Sequence, residues 1–256
     1  METQTQVSLF QIDDYGPWTV TPEPRYEMDL QVLQSRLFRD IARFVGSKGG
    51  YVFQTRYDNV IGITNHLDME DHALLQESIA NNFPVTVSIG VSSAPRPGEA
   101  VKQSTQILQE RGSAQDPNRV EVLGGTTTSD EPAVPLVAHF DIVDVTGEYT
   151  DEISEYETFQ KVMSSYLSLS EYMRSSYGAL SFYAGGDNVI AICPYLKRED
   201  FEAAVEHVME DGGPKYRVGI GHGQTIQDAG MSAKDALETC RERQESVHLE
   251  LQTQVL

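Results

Sequence analysis

Two short stretches of this chain repeat one another, and they decide its fold. Residues 57–63 read YDNVIGI and residues 185–192 read GGDNVIAI, each with an Asp-Asn pair ahead of an apolar run. When Asp58 is aligned with Asp187, the Asn-Val-Ile triplets that follow coincide. One short match does not establish a repeat, so further landmarks are needed at the same separation along the chain.

Further landmarks follow in the same order. Gly90 in VSIGV aligns with Gly219 in RVGIG at the separation of Asp58 from Asp187. Asp13 in LFQIDDYG aligns with Asp141 in VAHFDIVD, and these two residues are one position closer together than Asp58 and Asp187 are. Because these landmarks keep their order and nearly the same separation, the sequence predicts an internal duplication.

Each half carries the same succession of predicted elements. The first half starts with an apolar strand at VSLFQID and continues into a helix whose apolar residues recur at helical spacing over residues 29–45. Two short strands joined at Tyr57-Asp58, a helix, a strand and a trailing helix follow. The second half repeats this order from LVAHFDIV to SAKDALETCRER. We therefore predict an α+β fold of two tandem ferredoxin-like, palm-like βαββαβ domains related by internal duplication.

The predicted domain boundaries follow from a change in composition between the halves. The stretch PNRVEVLGGTTTSDEPAVP is rich in Gly, Pro, Ser and Thr and is typical of a connection. We predict an N-terminal domain over residues 1–116, a linker over 117–134 and a C-terminal domain over 135–256.

Composition and charge exclude several classes of function. The 256 residues include 39 acidic and 19 basic ones, for a net charge of −20. This excess repels nucleic-acid phosphates and anionic membranes, so neither is an expected partner. The acids are spread along the chain, which favours a salt-rich cytoplasm where screening removes their repulsion. No apolar run approaches the ~18 residues of a membrane span, and the N-terminus lacks a secretory leader, so a cytoplasmic location is expected.

The aspartates of the repeat are the strongest candidates for chemistry. In each half one aspartate lies near the end of the first strand and one in the central hairpin, and these two strands are neighbours in a βαββαβ sheet. Two converging carboxylates repel unless a cation neutralises them, and Mg²⁺ accepts such oxygen ligands. An aspartate in a turn can also serve turn geometry alone. The predicted catalytic and metal-binding residues are Asp13, Asp58, Asp141 and Asp187, and the sequence leaves open which pair holds the catalytic ions.

Several motifs resemble those of known families. FDIVDVT at 140–146 resembles the first-strand metal motif of class III nucleotide cyclases, and GGDN at 185–188 resembles the hairpin signature of diguanylate cyclases and polymerase palm domains. A more specific resemblance covers nearly the whole chain. QIDDYGPWTVTPEPRYEMDLQVLQSRL at 11–37, TRYDNVIGITN at 55–65 and GSAQDPNR at 112–119, together with GGDN, resemble archaeal GTP cyclohydrolase III. The acidic composition is the main departure and is what a halophilic member would show.

This resemblance implies a specific reaction. The family opens the imidazole ring of GTP and releases diphosphate, and it gives 2-amino-5-formylamino-6-(5-phosphoribosylamino)pyrimidin-4(3H)-one with the formyl group retained. The resemblance further implies Mg²⁺, expected as two ions, activation by K⁺ or another monovalent cation, and a homo-oligomer, either a dimer or a tetramer. The product would feed riboflavin and F420 biosynthesis.

Candidate substrate-binding residues come from the same motifs. Trp18 could stack on a purine, although a core position is the alternative. Positive residues are scarce in this chain of net charge −20, and its arginines suit a triphosphate, with surface ion pairing as the alternative. The GSAQDPNR stretch could read the edges of guanine or simply end a helix. The predicted substrate-binding residues are Trp18, Arg25, Arg56, Asn59, Asp116, Asn118, Arg119 and Asn188.

Two other functions remain open from the residues alone. A nucleotidyl or diguanylate cyclase would use the same palm-like fold with a ribose hydroxyl as the attacking group. A non-catalytic regulatory module would only bind a nucleotide, and lost carboxylates would favour it. All four aspartate positions are intact, which favours an enzyme.

Overall fold

The structure, a computed structural model, describes residues 3–127 and 134–249. Its contacts divide the chain into two compact units. The N-terminal unit consists of Gln4–Pro95 and Glu99–Pro132, and the C-terminal unit consists mainly of Ala133–Leu256. Each unit holds one five-stranded sheet, so the predicted α+β duplication is confirmed.

The N-terminal unit follows the predicted order of elements. Its strands and helices are β1 (Thr5–Ile12), α1 (Tyr15–Val20), α2 (Glu27–Ser47), β2 (Tyr51–Gln54), β3 (Asn59–Ile63), α3 (Met69–Asn82), β4 (Val87–Ala94), α4 (Pro97–Gln109) and β5 (Leu123–Gly125). The sheet order is β2-β3-β1-β4-β5, with β1 antiparallel to both β3 and β4. Helix α2 buries Leu33, Leu37, Ile41 and Val45, whose regular spacing places one apolar stripe on the core.

The C-terminal unit repeats this architecture. Its elements are β6 (Leu136–Ile142), a π-helical turn (Thr146–Thr150), α5 (Glu155–Tyr177), β7 (Leu180–Gly185), β8 (Asn188–Cys193), α6 (Arg198–Glu210), β9 (Tyr216–Gly221), α7 (Ile226–Arg243) and β10 (Val247–Leu249). The sheet order β10-β9-β6-β8-β7 is that of the first unit. Side chains on one face of β6 join the core with α5 and α6, and α7 packs closely on β9 and β6.

The strand pairing corrects the repeat alignment at the first strand. Gln11 of β1 pairs with Asn59, and Asp141 of β6 pairs with Asn188. Gln11 is therefore the structural counterpart of Asp141. The sequence alignment instead placed Asp13 on Asp141, which is wrong by two positions. Such a shift keeps a side chain on the same face of a strand, so the apolar pattern alone could not reveal it.

The turn after the first strand is also preserved. Asp14 follows Gln11 by the same interval as Asp144 follows Asp141, and both aspartates have a positive φ, 49° and 56°. Aspartate is among the few residues other than glycine that enter this conformation readily. Each of the two directly precedes a short helical turn.

The predicted linker contains a strand that the sequence reading did not assign. β5 pairs in parallel with β4, and Ile89 N donates to Val122 O at 2.7 Å. The C-terminal unit has the same addition, since β10 pairs in parallel with β9. A strand as short as β5 cannot show alternation, so only its pairing identifies it. Residues 128–133 of the predicted linker lie outside the described residues.

None of the helices formed by residues 3–127 and 134–249 is long and apolar enough to cross a bilayer.

Candidate active site

The C-terminal unit brings the predicted aspartates Asp141 and Asp187 to one end of its sheet. Asp141 is the penultimate residue of β6, is 6% exposed, and pairs across the sheet with Asn188. Asp187 directly precedes Asn188 in the tight β7–β8 turn, in which Gly186 has a φ of 63°. Glycine adopts this conformation at little cost. The Asn188 side chain donates to Asp187 Oδ1 at 3.2 Å and so helps to hold the turn.

The two carboxylates interact electrostatically. Burial raises the pKa of Asp187 above its ordinary value, and the charge of Asp141 raises it further. A cation next to both would relieve this repulsion. No three His, Cys, Asp or Glu side chains of the described residues form a group that could hold a metal. Asp141 and Asp187 thus form a pair of carboxylates. Mg²⁺ commonly binds one or two carboxylates and completes its coordination shell with water or phosphate oxygens.

Arg241 of α7 is part of this site and was missed by the sequence reading. Its Nη2 lies 3.0 Å from Asp141 Oδ2, and its Nη1 pairs with Glu238. A buried carboxylate such as Asp141 requires a partner, and Arg241 provides it. One signal was present in the sequence: Lys234, Glu238 and Arg241 recur at spacings of four and three, which places them on one face of a helix.

The N-terminal unit uses its strand-end aspartate differently. Asp13 is 4% exposed and accepts three hydrogen bonds, from Ser88 Oγ at 2.5 Å, Thr86 Oγ1 at 2.8 Å and Glu121 N at 2.9 Å. These donors lie at the start of β4 and just before β5. Asp13 therefore ties the end of β1 to that side of the sheet, and most of its hydrogen-bonding capacity is used within the protein.

Other polar atoms near the same strand end have no hydrogen-bond partner. Asp58 Oδ1, Asp14 Oδ1 and Asn59 Nδ2 are buried and unpaired. Asp58 Oδ2 lies 3.6 Å from the exposed Arg56, and Asn59 Oδ1 accepts from Gln11 at 3.0 Å. Buried polar atoms are normally satisfied, so these leftover atoms point to a ligand at this end of the sheet.

Trp18 lies in α1 with Arg25 against its ring. The Arg25 guanidinium is 3.9 Å from the ring centroid, and its Nε donates to Trp18 O at 3.1 Å. Tyr15 stacks with Trp18 at 6.1 Å between centroids. Trp18 also lines a cavity with Asp13 and Asp14. The Arg25 guanidinium covers one face of the indole ring. A purine approaching that face would contact the guanidinium, which is itself a flat stacking surface.

The GSAQDPNR stretch forms a loop that closes over the end of β1. Asp14 N donates to Ala114 O at 2.9 Å, which anchors the loop. Asp116 Oδ1 accepts from Asn118 N at 2.9 Å and from Asn118 Nδ2 at 3.0 Å. Asp116 and Asn118 therefore stabilise the loop itself, as Asx turns do.

Arg119 of the same loop is unusual. It is 4% exposed, and its three guanidinium nitrogens have no hydrogen-bond partner. Leaving a buried charged group unpaired costs several kcal/mol by general expectation, about 1–3 even for a neutral group. Such a guanidinium suits an anion or a carbonyl-rich edge supplied by a ligand.

Comparison with known proteins identifies relatives along the whole chain. The family model described as GTP cyclohydrolase III matches residues 7–254. A protein of Halorubrum lacusprofundi named GTP cyclohydrolase III is 54% identical, over 96% of this chain and 96% of its own. A protein of the same name from Natronomonas pharaonis is 48% identical, over 96% of this chain and 98% of its own. Among solved structures, a GGDEF domain from Pseudomonas aeruginosa matches with a TM-score of 0.37 and 17% identity, over 46% of this chain and 83% of that one.

Proposed function

The chain belongs to the GTP cyclohydrolase III family, and from this membership we propose its reaction. It hydrolyses GTP by opening the imidazole ring and releases diphosphate. The product is 2-amino-5-formylamino-6-(5-phosphoribosylamino)pyrimidin-4(3H)-one, with the formyl group retained. We place the protein in the cytoplasm as a homo-oligomer on the route to riboflavin and F420.

One observation supports this proposal above the others: Asp141 and Asp187 meet at the end of one sheet, where burial and then the charge of Asp141 raise the pKa of Asp187. We propose that these two residues hold Mg²⁺, with K⁺ or another monovalent cation as activator. When bound, Mg²⁺ would neutralise phosphate oxygens and increase the acidity of water.

The remaining roles belong to side chains of the chain itself. Arg241 orients Asp141 through their ion pair. Asn188 fixes the turn that carries Asp187. In the N-terminal unit we assign guanine or phosphate contacts to Arg119, whose guanidinium lacks a partner, and a stacking surface to Trp18 with Arg25. The other predicted residues of this unit shape the loop and the strand end around these contacts. They are Asp13, Arg56, Asp58, Asn59, Asp116 and Asn118.

The direct test is to identify the product. Purified protein is incubated with GTP, MgCl₂ and KCl at high salt, and the products are resolved by liquid chromatography and mass spectrometry. We expect the ring-opened monophosphate with its formyl group, and ³¹P NMR should detect diphosphate and little inorganic phosphate. The Asp187→Asn variant should give almost no product, and the surface variant Lys102→Thr should match the wild type.

Other outcomes would identify the alternatives. A cyclic or dimeric guanine nucleotide would show a cyclase. Bound GTP recovered intact, with every metal and salt condition tried, would show a regulatory module.

A further inference from the structure

The two units carry equivalent cavities beside their central strands. In the N-terminal unit the cavity is lined by Leu9 and Gln11 of β1 and by side chains from Thr105 to Ala114. In the C-terminal unit it is lined by His139 of β6, by the β7–β8 hairpin and by α7 from Lys234 to Arg241. The second cavity has a volume of about 390 Å³, within the ~300–1,000 Å³ common for small-molecule sites.

Close packing of α4 on β4 and of α7 on β9 shows which residues of the two units correspond. A Cβ on Gly90 would contact Ser104 O and Leu108, and a Cβ on Gly219 would contact Ala233 O and Leu237. α4 and α7 therefore cross their strands at the same point. Each residue of α7 therefore corresponds to one in α4 or in the turn after α4. The number of positions between the two is the same as between Gly90 and Gly219.

At these corresponding positions the two cavities differ in charge. Four lining positions are neutral in the first cavity and ionisable in the second, whereas Leu108 and Leu237 are apolar in both. The four pairs, N-terminal residue first, are Leu9 and His139, Thr105 and Lys234, Gln109 and Glu238, and Gly112 and Arg241; beside them, Gln11 corresponds to Asp141, the ion-pair partner of Arg241. The shared scaffold does not require these charges, because the N-terminal unit folds the same way without them.

The charged cavity has hydrogen-bonding capacity left over. His139 is 7% exposed and its Nδ1 has no partner. Lys234 makes no salt bridge with any other described residue. Arg241 is shared between Asp141 and Glu238, but Glu238 is 63% exposed and can turn towards solvent. The cavity thus presents two cations and a buried imidazole beside the Asp141–Asp187 pair.

We propose that this cavity is the subsite for the phosphate groups of the nucleotide. Lys234 and Arg241 bind phosphate oxygens, and His139 supplies a hydrogen bond from the strand. The inference rests on the proposed function, because it takes a nucleoside triphosphate as the ligand. An anion is the fitting ligand, since Lys234 makes no salt bridge with any other described residue and Arg241 can give up its contact with the exposed Glu238.

The test replaces cavity residues by their N-terminal counterparts. Lys234→Thr and His139→Leu copy Thr105 and Leu9, and the exposed Lys102→Thr on α4 is the charge-matched control. Binding of inorganic tripolyphosphate and of guanosine is measured by calorimetry at fixed MgCl₂ and KCl, and KM for GTP is measured separately. Circular dichroism checks that each variant is folded.

We expect Lys234→Thr to raise the Kd for tripolyphosphate and KM for GTP about tenfold, the value of one charge-assisted contact. His139→Leu should raise both to a smaller extent. Guanosine binding should not change in either variant, and Lys102→Thr should behave as the wild type.

Tripolyphosphate binding and KM at wild-type values in both cavity variants would overturn the subsite. If ring-opened product still forms in that case, the proposed function is retained and only the phosphate subsite is rejected. If Lys234→Thr loses tripolyphosphate binding while the wild type forms no ring-opened product, the subsite stands and the proposed reaction fails.

Discussion

The two units bury opposite kinds of side chain at equivalent core positions. In the N-terminal unit Gln6, Ser8, Thr64 and His72 are all fully buried. Their counterparts in the C-terminal unit are Leu136, Ala138, Cys193 and Phe201, which form part of an apolar core.

The polar core of the N-terminal unit is a connected chain of hydrogen bonds. Gln6 Nε2 donates to Thr64 Oγ1 at 3.2 Å, and Ser8 Oγ lies 2.6 Å from Thr64 Oγ1 and 2.7 Å from His72 Nε2. His72 Nδ1 donates to Asp68 O at 2.5 Å, because a carbonyl can only accept. Nε2 therefore accepts from Ser8, and every member is satisfied while His72 is neutral.

The outer faces of the sheets show the reverse distribution. There the C-terminal unit has charged residues around Asp141, and the N-terminal unit has neutral ones around Gln11. What the units share is backbone: the strand order, the close glycine contacts and the positive-φ aspartate after the first strand. The shared scaffold thus sets the shape of each unit, and polar groups can lie inside or outside it when each finds partners.

The largest expected effect separates the two hairpin aspartates. Asp187→Asn should lower kcat by roughly 100-fold or more, because it removes one of the two carboxylate charges that we propose hold Mg²⁺. Asp58→Asn, the matched change in the other unit, should lower kcat by less than about tenfold. Steady-state kinetics with GTP across a MgCl₂ titration measures both. Equal losses in the two variants would remove the asymmetry on which the comparison depends.

A smaller effect concerns the two strand-end aspartates. Asp13→Asn should destabilise the protein by about 2 kcal/mol, since three donors lose a charged acceptor. Asp141→Asn should cost less stability, because its partner Arg241 is 40% exposed and solvent weakens the pair. Urea unfolding of the two variants provides the comparison. A more stable Asp13→Asn than Asp141→Asn would contradict the structural role of Asp13.

The polar core predicts a pH dependence that the apolar core lacks. Burial lowers the pKa of His72 below its ordinary value, so the unfolded state binds the proton more readily. Stability from this residue is complete above the unfolded pKa of ~6.5 and is lost as the pH falls, so the free energy of unfolding should be lower at pH 5.5 than at pH 7. Unfolding free energies at both pH values measure the loss. His72→Gln cannot titrate and should show a smaller difference; an identical difference would exclude His72 as the source.

The last prediction concerns a property that both units share. The net charge of −20 should make the fold more stable as salt rises, since the Debye length falls from roughly 30 Å at 0.01 M to 3 Å at 1 M. Thermal melts between 0.1 and about 2 M KCl should show a rising Tm. His72→Gln should show the same slope, because it changes no surface charge. A flat or falling Tm would argue against adaptation to high salt.

The duplication, the α+β class and the meeting of Asp141 with Asp187 can all be predicted from the sequence. These follow from local periodicity and from the adjacency of first strand and hairpin in any βαββαβ sheet. The family resemblance likewise depended on contiguous stretches, such as GSAQDPNR and GGDN.

Other features depend on how the elements pack and pair in three dimensions. The tertiary structure replaced Asp13 by Gln11 as the counterpart of Asp141, because register is set by interstrand pairing and a shift of two positions leaves the apolar pattern unchanged. It identified β5, which is too short to show a period. It also showed that Arg241 contacts Asp141. The distance between a helix and its sheet determines which helix residue can reach the end of a strand. That distance is set by contacts at Gly219, far from both residues in sequence.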